Sequence, residues 1–195
     1  MRVTKITALA VAVSLLMCVG TADATMSRLL PESATYQGTN YYSESTDSGF
    51  LRGRVDFAVY DTLGGNEFEN AGFTAPGTGR FIYAYQVFND YDGASEAPMG
   101  AFSLYHGSGS ELNVTEGGIG SVADANDGVA PTDQYLAESN TKAIWEFQDD
   151  TGAAILEVGD HSYILILRSD ATWVEGDYEV TSMADDPTPV PGDDD

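Results

Sequence analysis

Basic residues are scarce in this chain: eight lysines and arginines stand against 31 acids among 195 residues, a formal charge of −23. Phosphate recognition needs a basic patch, which so few cations can hardly build, so the composition argues against nucleic-acid binding. Cysteine occurs once, at Cys18, and one thiol makes no intrachain disulfide framework. Histidine occurs twice, at His106 and His161. What is present is apolar and aromatic material, 43% and 11% of the residues, enough to bury a core rather than stay disordered. The length suits one domain, or at most two small ones.

The N-terminus reads as a targeting segment. Arg2 and Lys5 form a positive region, residues 6 to 20 form an apolar run, and Ala22-Asp23-Ala24 fits a small-x-small cleavage site. The run is shorter than the roughly 20 residues a membrane span needs, so residues 1–24 are expected to be a cleaved signal peptide, leaving no integral span. Lipid attachment at Cys18 would require a small residue before it, and Met17 is large. Cleavage removes Cys18, and with it any disulfide, cysteine nucleophile or thiolate metal site.

The remainder alternates in the manner of strands. Val55, Phe57 and Val59 oppose Asp56, Ala58 and Tyr60. Phe81, Tyr83, Tyr85 and Val87 oppose Ile82, Ala84, Gln86 and Phe88, so both faces are apolar and a central strand is expected. Residues 99–106, 142–148, 162–168 and 177–181 are further strands, the third being the strongest apolar run. Glycine-rich turns separate them, among them Gly64-Gly65-Asn66, Ala75-Pro76-Gly77 and Gly159-Asp160. Only residues 132–140 resemble a helix, with Thr132 or Asp133 as cap after Pro131. The fold class expected is all-β, an antiparallel sandwich or jelly roll with at most one short helix. Residues 25–49 form a polar arm with an edge strand, residues 50–183 the domain, and residues 184–195 an acidic Pro/Asp tail without apolar periodicity.

Phe81 to Asn89, and Leu156 through Val158-Gly159-Asp160-His161 to Leu167 followed by Trp173, resemble strands of exported bacterial proteins of the PEP-CTERM type. The resemblance covers residues 50–182. It implies a surface or matrix protein, and brings no catalytic residues. The family's Pro-Glu-Pro, hydrophobic span and basic cluster are not matched here, where the chain reads Val190-Pro191-Gly192 and then three aspartates.

Candidate chemistry is limited. Gly118-Ile119-Gly120-Ser121-Val122-Ala123 matches a dinucleotide loop by letter, but Asp127-Gly128 and Pro131 leave no room for the required helix. Neither histidine lies in a serine-nucleophile motif, and Gly107-Ser108-Gly109 lacks the G-x-S-x-G frame. Glu146, between Trp145 and Phe147, is the carboxylate on which a polysaccharide hydrolase would rest; the plainer expectation is a solvent-facing strand position. Calcium takes carboxylate and carbonyl oxygens from loops, and Asp90 and Asp92 before Gly93, with Asp124, Asn126 and Asp127 before Gly128, form two loose candidates. Their spacing is not that of an EF-hand, and acidic-glycine clusters are also ordinary turn chemistry. No other cofactor is indicated. Trp145 and Trp173 offer sugar-stacking faces or core, and Tyr36, Tyr41 and Tyr42 in the polar arm suggest an interaction surface.

The acid surplus keeps the chain soluble and suits salty surroundings, where screening relieves its self-repulsion. Together these features predict a secreted or envelope non-enzymatic module that binds matrix, glycan or a surface protein. A secreted carboxylate-dependent polysaccharide hydrolase and a subunit of a self-assembling surface layer are the alternatives.

Overall fold

The computed structural model describes residues 28–46, 49–90, 93–105, 111–172 and 176–182. The expected signal segment and acidic tail, and with them Asp92, His106 and Trp173, lie outside the described residues. In chain order the elements are β1 (Tyr36–Thr46), β2 (Gly49–Asp61), α1 (Glu67–Asn70), β3 (Phe81–Phe88), β4 (Met99–Tyr105), β5 (Val114–Val122), β6 (Asp133–Ala137), β7 (Lys142–Glu146), β8 (Ile164–Ser169) and β9 (Asp177–Ser182). They form two antiparallel sheets, one ordered β1-β2-β3-β8-β5 and one β6-β7-β4-β9. The all-β expectation holds.

Register decides which face of each strand meets the other sheet. Val55 lies opposite Val87, Phe57 opposite Tyr85 and Val59 opposite Tyr83, and Leu165 and Leu167 follow on β8. This face packs on Phe102, Leu104, Ala143, Trp145 and Val180 of the smaller sheet, making the sandwich core. Trp145, Phe102, Met99 and Leu165 are fully buried there, and each such side chain contributes about 1.5–3 kcal/mol of hydrophobic stabilisation. The opposite face of the larger sheet carries Ala58, Tyr60, Ile82, Ala84, Ile164 and Ile166. It is covered by Leu30, Phe68, Phe73 and Ala75, a second core outside the sandwich proper. The central strand β3 is therefore apolar on both sides because both sides are buried.

The one helix among the described residues is the short α1, inside a stretch that reads as a turn. Asn66 caps it, its side-chain oxygen accepting from the Glu69 amide, and Phe68 is carried into the second core. The helix expected over 132–140 does not form. Residues 133–137 are strand β6, paired with β7 from Asp133 opposite Glu146 to Ala137 opposite Lys142. The chain then reverses through Glu138, Ser139 and Asn140, all with positive φ. Backbone pairing along β7 outweighs a weak helical preference, and Thr132 donates to the Glu146 carbonyl instead of capping a helix. The G-x-G-x-x-A match lies largely in β5, where glycine serves packing: a Cβ on Gly120 would come within 2.6 Å of Pro76.

Candidate functional site

The two sheets differ in strand length. β1 and β2 run 11 and 13 residues, whereas the strands of the smaller sheet have five to seven. At the end where β4 finishes and β9 begins, the inner face of the larger sheet outruns its cover. A cleft of about 690 Å³ opens there, lined on one side by Tyr36, Asn40, Phe57, Tyr83 and Tyr85 and on the other by Phe102, Tyr105 and Tyr178. Phe57, Tyr83 and Tyr85 point inward by register, yet remain only half-buried.

Aromatic rings line the cleft floor in two groups. Tyr36 and Phe57 have centroids 5.7 Å apart, Tyr85 and Phe102 6.1 Å, and Phe102 and Tyr178 6.0 Å. Phe102 also packs 6.0 Å from Trp145, which anchors the floor in the core. Some polar groups here are occupied: the Tyr83 hydroxyl donates to the Ala171 carbonyl at 2.7 Å, and that of Tyr178 to the Tyr41 carbonyl at 3.3 Å. Others are not. Among the described residues none hydrogen-bonds the Asn40 amide, the Tyr85 or Tyr105 hydroxyl, or the Glu111 and Asp177 carboxylates, all of which line the cleft. Removal from water pushes the Tyr83 hydroxyl up to about 12 and that of Tyr85 further, so both are neutral donors at physiological pH. No Lys, Arg or His is among the described lining residues.

A shallower groove, lined by Tyr42, Ser43, Glu44, Tyr105, Tyr178 and Glu179, runs between β1 and β9. Tyr105 and Tyr178 line both cavities, so the two adjoin.

Comparison with protein-family models, with curated proteins and with solved structures gives no match to this chain.

The residues singled out by sequence fall in different places. Tyr36 lines the cleft, 39% exposed, and Tyr41 lies beside it on β1, 61% exposed. Tyr42 is buried, its hydroxyl donating to the Phe88 carbonyl at 2.9 Å, and this burial raises its pKa well above the usual tyrosine range. Trp145 is core, with its indole N–H donating to the Gly120 carbonyl at 2.9 Å. Glu146 lies on the other face of β7, outside the cleft, where its carboxylate accepts from the Tyr135 hydroxyl at 2.7 Å.

The two acidic loops are held by their own backbones. Asp90 Oδ1 accepts from the amides of Gly93 and Ala94. Asp124 Oδ1 accepts from the amides of Asn126 and Gly128, while its Oδ2 takes the Gln86 amide at 2.6 Å and lies 2.7 Å from His161 Nε2. Asp127 adopts positive φ in that turn. His161 is itself buried and stacked on Phe88, so the Asp124–His161 pair ties the loop to the outer face of the larger sheet. Among the described residues no group of three or more His, Cys, Asp or Glu is placed to hold a metal ion.

Sequence reasoning missed Asn40, Phe57, Tyr83, Tyr85 and Tyr178, because residues on an alternating strand read as core. The available signal was the pair of hydroxyls, Tyr83 and Tyr85, on one face of an otherwise apolar strand.

Proposed function

We propose that this protein is an exported, non-enzymatic glycan-binding module. The observation that carries the reading is the pairing, in one cleft, of aromatic faces with polar groups that have no hydrogen-bond partner among the described residues. Sugars present the matching chemistry: apolar C–H faces that lie on rings, and hydroxyls that hydrogen-bond to amides, phenols and carboxylates. The adjoining groove between β1 and β9 gives an elongated oligosaccharide further surface beside the cleft. Export rests on the N-terminal pattern of residues 1–24, and an extracellular setting agrees with the PEP-CTERM-type resemblance.

Retention on a panel of insoluble polysaccharides, followed by calorimetry with soluble oligosaccharides, tests the proposal. Binding is expected, with Asn40→Ala weakening it about two- to tenfold through one lost hydrogen bond, and Phe57→Ala weakening it through the lost ring face. Failure to bind any glycan would overturn the reading. Release of reducing ends by the unmodified protein would replace it with a hydrolase.

A further inference from the structure

Resting on the glycan reading, we infer that the preferred ligand is a cationic amino sugar, an oligomer of glucosamine with free amines, rather than a neutral or uronic-acid glycan. The charge along the binding path has one sign. Glu111 and Asp177 are exposed and line the cleft, and Glu44 and Glu179 line the groove that adjoins it. Among the described residues, Lys142 brings a cation to this path, and it is bound to Glu179 at 2.9 Å. Among the other described basic side chains, Arg28 donates to the backbone carbonyl of Phe57 at 2.8 Å, and three more are engaged away from the cleft. Arg80 is held by Asp61 at 2.6 Å, Arg54 lies by Asp56 and over the Phe88 ring, and Arg168 donates to the Gly79 carbonyl.

An oligomer of uronic acids would bring carboxylates against carboxylates with nothing to neutralise them. A neutral sugar would donate hydroxyl hydrogen bonds to Glu111 and Asp177 but bring no charge to offset theirs. A protonated amine supplies the missing counter-charge, and adds attraction to the electron-rich faces of Tyr36, Phe57 and Tyr105. Short oligomers matter to the argument, because a long polycation would adhere to any chain of this net charge.

The test is calorimetry at physiological salt with the glucosamine tetramer, the N-acetylglucosamine tetramer and cellotetraose. The free-amine tetramer should bind about tenfold tighter than either neutral tetramer, as two rim ion pairs at the upper end of exposed-pair strength would supply. Glu111→Gln with Asp177→Asn should bring the free-amine and neutral tetramers to equal affinity, and so remove that preference. Asp150→Asn with Glu157→Gln, an equal charge change at the opposite end of the sandwich, should keep it. Equal binding of all three tetramers would overturn the amine inference and leave the glycan reading standing. Loss of the preference in the distant double variant as well would reduce it to net charge and overturn the site. Binding of none of them, or of other glycans, would sink both.

Discussion

Tyr85→Phe and Tyr42→Phe make the same chemical edit at two β-strand tyrosines on the inner face of one sheet, and should have opposite consequences. The Tyr42 hydroxyl donates to the Phe88 carbonyl at 2.9 Å, and both residues are buried. Deleting it removes a buried hydrogen bond and leaves that carbonyl short of a partner, at a cost of about 1–2 kcal/mol. For a domain of this size that lowers Tm by about 3–6 °C. The Tyr85 hydroxyl has no hydrogen-bond partner among the described residues. Its deletion costs the fold no internal bond and relieves a polar group of partial desolvation, so stability should stay level or rise by up to about 1 kcal/mol. Glycan affinity should fall about two- to tenfold in Tyr85→Phe. Urea denaturation followed by circular dichroism measures both stabilities, and calorimetry the affinity. A loss above about 1 kcal/mol in Tyr85→Phe would mean that its hydroxyl is bound within the fold, and the open cleft floor would be refuted.

Trp145→Phe should lower stability by about 2–3 kcal/mol, from the lost indole N–H bond to Gly120 and the volume removed from a fully buried site; unchanged stability with abolished glycan binding would return Trp145 to the role of a sugar platform. Alkaline pH should unfold the protein cooperatively. Tyr42, Tyr60, Tyr83 and Tyr85 are all raised from the ordinary value of 10, Tyr83 to about 12, chiefly by desolvation. Their neutral forms are favoured in the fold, so the stability they contribute is intact below pH 10 and is lost as pH rises through the folded values, by up to about 1.4 kcal/mol per tyrosine per pH unit. Tyrosinate absorbance should appear together with loss of the strand signal, and free titration near pH 10 in an intact fold would contradict this. Thermal unfolding in EDTA, Ca²⁺ and Mg²⁺ at matched ionic strength should give closely similar Tm values, since the Asp90 and Asp124 carboxylates already accept from their own loops. A rise specific to Ca²⁺ would make those loops metal sites, and at a hundred times Kd would reach about 2.7 kcal/mol.

The strands were legible because their signal is local. Covalent geometry sends successive side chains to opposite faces, so the alternation at Val55–Val59 and the apolar run at 164–168 declare themselves without knowledge of any partner. Turn glycines are legible for the same reason. Residues 132–140 mark the limit: their own preference is slight, and pairing with β7, which depends on a neighbour formed later in the chain, decides between helix and strand.

Tertiary structure alone decided what each face meets. Trp145 and Tyr85 both sit on inward faces of apolar strands, yet one is sealed in the core and the other helps floor a cleft. The difference comes from strand lengths once the sheets are stacked, since the larger sheet continues past the end of the smaller one. Asp124 was legible as a turn residue, but its bond to Gln86 and its contact with His161 join positions 38 and 37 residues apart. The sequence by itself determined most of the strands, though not β5 or β6, together with the all-β class and the excess of negative charge, because these depend on composition and on a period of two. The cleft arises from the mismatch between two sheets assembled from distant segments, a quantity that exists only when the chain has folded.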